Sequence, residues 1–265
     1  MADIITHRRP TAAPPSTLPR VRTVDTERPW IWLAAGWRDM CAAPLISGFY
    51  GLLAVASSFM MVAGLAMLEL HYLVLPMAAG FVLVGPVLAV GLYETSRLLE
   101  RGERVTPVAV LGAYRRNGAQ IAGMGMVLML ALLAWIRIAL LLFAMFYSSA
   151  PPALDQLVDR IFFSAETIPF LLTGTALGAV IATTVFAISV VSLPMLLDRD
   201  TDVFTAIATS VEAVRRNPRT MLVWAALIAL FTAAGLATAF IGLALAFPLI
   251  GHASWHCYRD LVGER

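Results

Sequence analysis

Six runs of apolar residues divide this chain, and two of the gaps between them, 94–120 and 198–220, are rich in arginine. A transmembrane helix needs about 20 mostly apolar residues. The runs that qualify cover about Leu45–Leu68, Leu73–Tyr93, Ile121–Tyr147, Ile168–Leu197, Met221–Ala239 and Phe240–His256. The third and fourth are long enough to tilt or to extend past the lipid. No charge interrupts Met221 to Ile250, so the division between the last two runs rests on "AAGLATAF" (233 to 240) as a turn.

A second pattern precedes the spans. "PWIWLAAGWRDM" (29 to 40), "PVAVLGAYRRNG" (107 to 118) and "FTAIATSVEAVRRNP" (204 to 218) are amphipathic stretches. Each ends in a bulky residue, an Arg and a polar residue, directly before a span. Pro29 and Pro107 suit the first turn of a helix, and Thr201 or Asp202 can cap the third. In the third, Val203, Phe204, Ile207, Val211 and Val214 keep near-helical spacing.

The ends of the hairpins also match. "LLERGERV" (98 to 105) resembles "LLDRDTDV" (196 to 203). "GPVLAVGLYETSR" (85 to 97) lies on "FPLIGHASWHCYR" (247 to 259), pairing Pro86 with Pro248, Tyr93 with Trp255 and Arg97 with Arg259. These patterns predict an all-α polytopic membrane domain over residues 25–265. Its six transmembrane helices form three helical hairpins, each preceded by a cytoplasmic interfacial amphipathic helix. The repeat units are about 27–99, 104–199 and 200–262. Residues 1–24 have no apolar periodicity and no signal-peptide core, and read as a disordered cytoplasmic tail. In the long loop between the third and fourth spans, Leu154, Leu157, Val158, Ile161 and Phe162 share one helical face. That pattern predicts a helix lying on the outer membrane surface.

Composition agrees: 60% of the residues are hydrophobic and 14% charged, where a soluble domain carries about 25% charge. The charges set the orientation. The basic residues are 19 arginines and no lysine. All but Arg137 and Arg160 fall on the side of the N-terminal region, the Arg97–Asn117 and Asp198–Arg219 loops and the C-terminus. By the positive-inside rule both termini are cytoplasmic. Cys41 and Cys257 do not make a disulfide framework.

Candidate chemistry is sparse. His252 and His256 are one helical turn apart, beside Cys257, and could contribute to a metal or haem site. Such sites need three or four ligands, and His7 and His71 lie elsewhere. The bland alternative is that His252 bonds a neighbouring helix while Trp255, His256 and Tyr258 form an interfacial belt. Arg137 is the one charge well inside a span, past its middle toward the outside, where it can snorkel, with Glu69 or Glu166 as counter-ion. It suits an anion or lipid headgroup site, or a structural ion pair. Glu94 and Arg97 can pair along their helix. "GTALG" places Gly174 and Gly178 for close helix packing. Pro86, Pro194 and Pro248 fall in the second span of each hairpin and can kink or interrupt it. Arg38, Arg115, Arg116, Arg215, Arg216 and Arg259 are positioned to hold lipid phosphates. There is no phosphate-binding loop, dinucleotide fingerprint, HExxH or nucleophile elbow, and no soluble domain to present nucleic acid.

"SLPMLLDRDTDVFTAIATSVEAVRRNPRTMLVWAALIAL" and "PLIGHASWHCYRDLV" resemble the bacterial integral membrane proteins grouped under a domain of unknown function. Some of those proteins carry automatic names tying them to cytochrome c oxidase subunit I. The resemblance covers nearly all of residues 21 to 262. It implies a six-span protein of a bacterial inner membrane and supplies no catalytic residues. A catalytic oxidase subunit needs a larger set of histidines inside spans than His252 and His256.

Three functions follow as expectations. The first is a non-enzymatic accessory or scaffold protein without a cofactor. Its partners are membrane lipids and a larger membrane complex, such as a respiratory one, or a homo-oligomer. The second is a small transporter or lipid-handling protein using Arg137 and the Pro-broken helices. The third is a haem or metal protein using His252 and His256.

Overall fold

The computed structural model describes residues 19–146 and 167–262. The surface helix expected at 154–162, with Arg160 and Glu166, lies outside the described residues. So do residues 1–18, most of the expected tail. The described residues form helices joined by short connections, with no strand. In chain order the helices are α1 (Arg28–Ala42), α2 (Pro44–Met67), α3 (Val74–Leu88), α4 (Val90–Glu100), α5 (Pro107–Arg116) and α6 (Gly118–Phe146). They continue with α7 (Thr167–Ser189), α8 (Ser192–Asp198), α9 (Val203–Arg216), α10 (Pro218–Ala237) and α11 (Leu243–Leu261).

Among the described residues, five helical stretches are long and apolar enough to cross a membrane: Pro44–Met67, His71–Glu100, Gly118–Phe146, Ile168–Asp198 and Pro218–Ala237. The sixth expected span, α11, is not among them. Its second half carries His252, His256, Arg259 and Asp260. It is instead among the most sheltered helices, packed against α1, α2, α4 and α10. The turn before it spans residues 238–242. Thr238 Oγ1 accepts the Gly242 N–H at 2.8 Å. Ala239 and Phe240 take left-handed φ values of 51° and 69°, an uncommon conformation for residues other than glycine.

The amphipathic stretches form α1, α5 and α9. Pro29 and Pro107 occupy first turns, as does Pro218 of α10, where a missing N–H costs nothing. Asp202, not Thr201, caps α9, accepting the N–H groups of Phe204 and Thr205 at 2.9 and 3.0 Å. Each amphipathic helix joins the next helix through one non-helical residue. The backbone angles there nearly coincide: φ −126°, ψ 59° at Ala43, φ −134°, ψ 53° at Asn117 and φ −124°, ψ 49° at Asn217.

The two asparagines hold neighbouring backbone. Asn117 Nδ2 donates to the Thr201 carbonyl at 2.9 Å, and Gln120 accepts the Val203 N–H at 3.0 Å. Asn217 Oδ1 accepts the Val24 N–H at 2.8 Å and its Nδ2 donates to the Arg22 carbonyl at 2.9 Å. Residues 21–24, which the sequence assigns to the tail, are thereby strapped to the bundle, with Val21 buried.

The prolines act differently in the three second helices. The helix containing Pro86 stops at Leu88 and restarts at Val90. Pro194 stands in the first turn of α8, after a break at residues 190–191. Pro248 lies inside α11 without interrupting it. Pro248 cannot donate to the Ala244 carbonyl one turn back. Gly51 of α2 comes against that carbonyl, so closely that a Cβ there would collide with it.

Away from the Arg-rich end, the long helices form two groups. α3, α6 and α7 pack together, and so do α2, α10 and α11. The groups meet along α2 and α3 and are tied at the Arg-rich end, where α4 touches α11 and α9 touches α7 and α8. Trp32 of α1 and Trp224 of α10 stack edge to face, with centroids 5.7 Å apart.

Candidate functional site

The Arg-rich end holds the polar side chains. His252 is fully buried between α2 and α4. Its Nε2 lies 3.0 Å from Ser47 Oγ and its Nδ1 2.8 Å from Ser96 Oγ. The single Ser47 hydroxyl proton goes to the Ala43 carbonyl at 2.9 Å. Ser47 is then left to accept from Nε2–H, and Nδ1 shares the second bond with the Ser96 hydroxyl. His256, one turn on, bonds Asp39 of α1 through Nε2 at 2.7 Å. The two histidines thus face different helices. Among the described residues, no three His, Cys, Asp or Glu side chains converge as metal ligands.

Glu94 and Arg97 pair as the sequence allows, and the pair is deeply buried. Arg97 Nε and Nη2 donate to the two Glu94 carboxylate oxygens at 2.6 Å each. Arg116 adds a contact to Glu94 at 3.5 Å. Arg97 Nη1 is buried without a hydrogen-bond partner among the described residues. Burial on this scale follows from α4 lying inside the bundle, covered by α1, α2, α5, α8 and α11.

Trp255 and Tyr258 do not form an interfacial belt. Both are buried, because α11 runs inside the bundle. Trp255 donates to Glu100 at 2.9 Å and Tyr258 to Asp198 at 2.8 Å. Arg259 bonds Glu100 at 3.0 Å and approaches Asp198 at 3.7 Å; it braces the bundle and is not free to hold lipid phosphate. The chain also closes on itself through Arg28 and Asp260 at 2.5 Å, a bond that raises the Arg28 guanidinium above its ordinary range.

The remaining expected site residues separate in the same way. Arg116 is drawn to Glu94 and Arg216 to Glu212, the latter at 2.6 Å. Arg38, Arg115 and Arg215 are exposed and make no ion pair among the described residues. Gly178 and Gly174 face α6: a Cβ on Gly178 would lie 3.1 Å from the Trp135 ring, and one on Gly174 3.7 Å from Leu142. Their close packing is internal to this chain.

Arg137 is exposed on α6, and no ion pair joins it to Glu69, which is exposed in the turn after α2. Arg137 lies about 28 Å along α6 from Gly118 at 1.5 Å per residue, near the far edge of a hydrocarbon core about 30 Å thick. Trp135 Nε1 donates to the Pro76 carbonyl at 2.7 Å, fixing this level beside the first turn of α3. A charge at that level reaches water by extending its own side chain, and Arg137 has no counter-ion among the described residues.

Between the two helix groups lies a cleft of about 620 Å³ bounded by α3, α7, α10 and α11. Its walls are almost wholly apolar, with Phe81, Phe186, Met221 and Phe247 among them. Ala182, Leu222, Ala226 and Ala229 line it and are exposed at the bundle surface, so it opens sideways. Tyr93, Ser189 and Ser254 line its Arg-rich end. The size falls within the range of about 300–1,000 Å³ usual for ligand pockets. Sequence reasoning missed this cleft, since no residue type marks a gap between helices. It also missed Ser47, Ser96 and Asp39, although a histidine inside an apolar helix signals that partners must exist.

Residues 74–198 match the family model of a predicted integral membrane protein (DUF2189). The match runs from the start of α3 to the end of α8 and so includes the α3 and α7 walls of the cleft and the Glu94–Arg97 pair. The "RRNP" and "GHASWHCYRD" segments lie beyond it. That domain has no assigned function. No curated protein and no solved structure matches the chain.

Proposed function

We propose that this chain is a non-enzymatic, lipid-handling protein of a bacterial inner membrane, which takes an acyl chain from the bilayer into the cleft between its two helix groups. The apolar, sideways-open cleft carries this reading. An apolar wall facing hydrocarbon suits a lipid tail, whereas a polar substrate would find few hydrogen-bonding partners there. The polar residues of the Arg-rich end support the non-enzymatic part: His252 and Tyr258 bond side chains of neighbouring helices, and Glu94 and Arg97 are bonded to each other within α4.

In this reading α11 is a sixth span sheltered by protein, and both termini are cytoplasmic. The crowding of arginine at one end of the bundle supports that orientation. The near-identical angles at Ala43, Asn117 and Asn217 support three repeated units.

The test is extraction of the full chain after exhaustive detergent exchange, followed by mass spectrometry of the extract. The reading requires an acyl-chain lipid in stoichiometric amount, lost in Ala225→Trp, which fills the cleft. A lipid-free protein that co-purifies with subunits of a larger assembly would instead support the accessory role.

A further inference from the structure

The order in which the helices pack leaves one contact unmade. α11 lies against the next amphipathic helix and first long helix in cyclic order, α1 and α2. The α3–α4 pair lies against α5 and α6 in the same way. The α7–α8 pair lies against α9, and by the same progression α7 would lie against α10. It does not: α7 and α10 make almost no direct contact, and Ala182 and Thr183 look across the cleft at Leu222 and Ala226. The cleft is thus the open seam of an otherwise closed ring of helices.

The Arg-rich end of that seam has its own chemistry. Val214 and Pro218 line the cleft, and the residues following them are Arg215 and Arg219. Both are exposed and make no ion pair among the described residues, whereas Arg216 between them is taken by Glu212. Arg219 is three residues from Leu222, so the two are neighbours on the surface of α10. On the opposite wall Ser189 is 3% exposed. Its hydroxyl lines the cleft and makes no hydrogen bond among the described residues.

We infer that the seam between α7 and α10 is a phospholipid site, with an acyl chain between the two helices and the phosphate held by Arg215 and Arg219. Two arginines at the level where the apolar walls end complement a phosphate attached to a chain lying along those walls. Ser189 supplies a hydroxyl donor just inside, at the depth of the ester carbonyls. The inference rests on the cleft reading above and adds the headgroup chemistry and the side of entry.

Native mass spectrometry of the full chain in mild detergent tests it, with phosphatidylglycerol, phosphatidylcholine or diacylglycerol of the same acyl chains added in turn. Both phospholipids should be retained at one per chain, and diacylglycerol at least tenfold more weakly. The double variant Arg215→Gln/Arg219→Gln, on exposed positions, should keep its melting temperature and lose that preference. Ala226→Trp, at the mouth, should lower retention of all three. Equal retention of phospholipid and diacylglycerol by the unaltered chain would overturn the headgroup assignment and leave the cleft reading standing. An unchanged preference in the arginine variant would do the same. Retention unaffected by Ala226→Trp, or none at all, would overturn both.

Discussion

The side-chain oxygen of Asn217 accepts the backbone N–H of Val24 at 2.8 Å, across 193 residues of chain. With the Asn217 amide on the Arg22 carbonyl, and Thr220 Oγ1 donating to the Val24 carbonyl at 3.1 Å, it turns an apparent tail into part of the bundle. Replacing Asn217 by Ala removes two of the bonds that hold the strap and should loosen it at a cost of about 1–3 kcal/mol. Trypsin cleavage at Arg22 in the detergent-solubilised protein should then speed up by about tenfold or more. An unchanged rate would show that the strap is held by other means.

His252 joins α2, α4 and α11 through two serine hydroxyls. His252→Ala should lower the stability of the solubilised protein by about 1–3 kcal/mol, the usual cost of leaving buried polar groups unpaired. Ser47→Ala combined with His252→Ala should cost less than the sum of the two, because they share one bond. Thermal melts of the four proteins measure this. A Soret band or bound metal that disappears in His252→Ala would instead mark the residue as a cofactor ligand.

The buried Glu94–Arg97 pair should be costly to break and cheap to replace. Arg97→Met leaves Glu94 with only the longer contact to Arg116, and should destabilise by about 3–5 kcal/mol. Glu94→Leu together with Arg97→Met removes both charges and should recover much of that loss. A double variant no better than the single would mean that the pair is needed for more than mutual neutralisation.

Asp202 gives an acid-side signature. The Thr205 hydroxyl, then backbone N–H groups, hold its carboxylate below the ordinary value of 3.8. A folded value below the unfolded one adds stability above the unfolded value and loses it as pH falls through the folded one. Asp202→Asn keeps a capping side chain but removes this titration. Melting curves of the two proteins should keep a constant difference above about pH 5 and converge or cross below it. A difference independent of pH down to pH 2 would contradict the assigned cap.

The helices were legible where one physical signal dominates. The apolar run of α2 gave its ends within a residue, and the spacing of Val203, Ile207, Val211 and Val214 gave α9. The turn into α11 was hard to place because two non-glycine residues, Ala239 and Phe240, take the left-handed conformation there. Burial of α11 and α4 was not legible. Their polar residues resemble those of an interface until Ser47 and Ser96, 205 and 156 residues away, are brought to His252. The arginines read alike as phosphate anchors; acidic partners distant in sequence, such as Glu94 for Arg116, divide them into braced and free. The cleft depends on a contact that α7 and α10 do not make.

The state of that cleft is read most directly by a spin label at position 186, on its α7 wall, where the label replaces the bulky Phe186 side chain. The background needs Cys41→Ser, since Cys41 is exposed and Cys257 is buried. With Phe186→Cys labelled and the protein in liposomes, the label should collide with oxygen but not with a water-soluble nickel chelate. Its spectrum should also broaden when phospholipid carrying a nitroxide on its acyl chain is added. Strong relaxation by the nickel chelate, or a label touched by neither oxygen nor lipid, would contradict a cleft occupied by acyl chains.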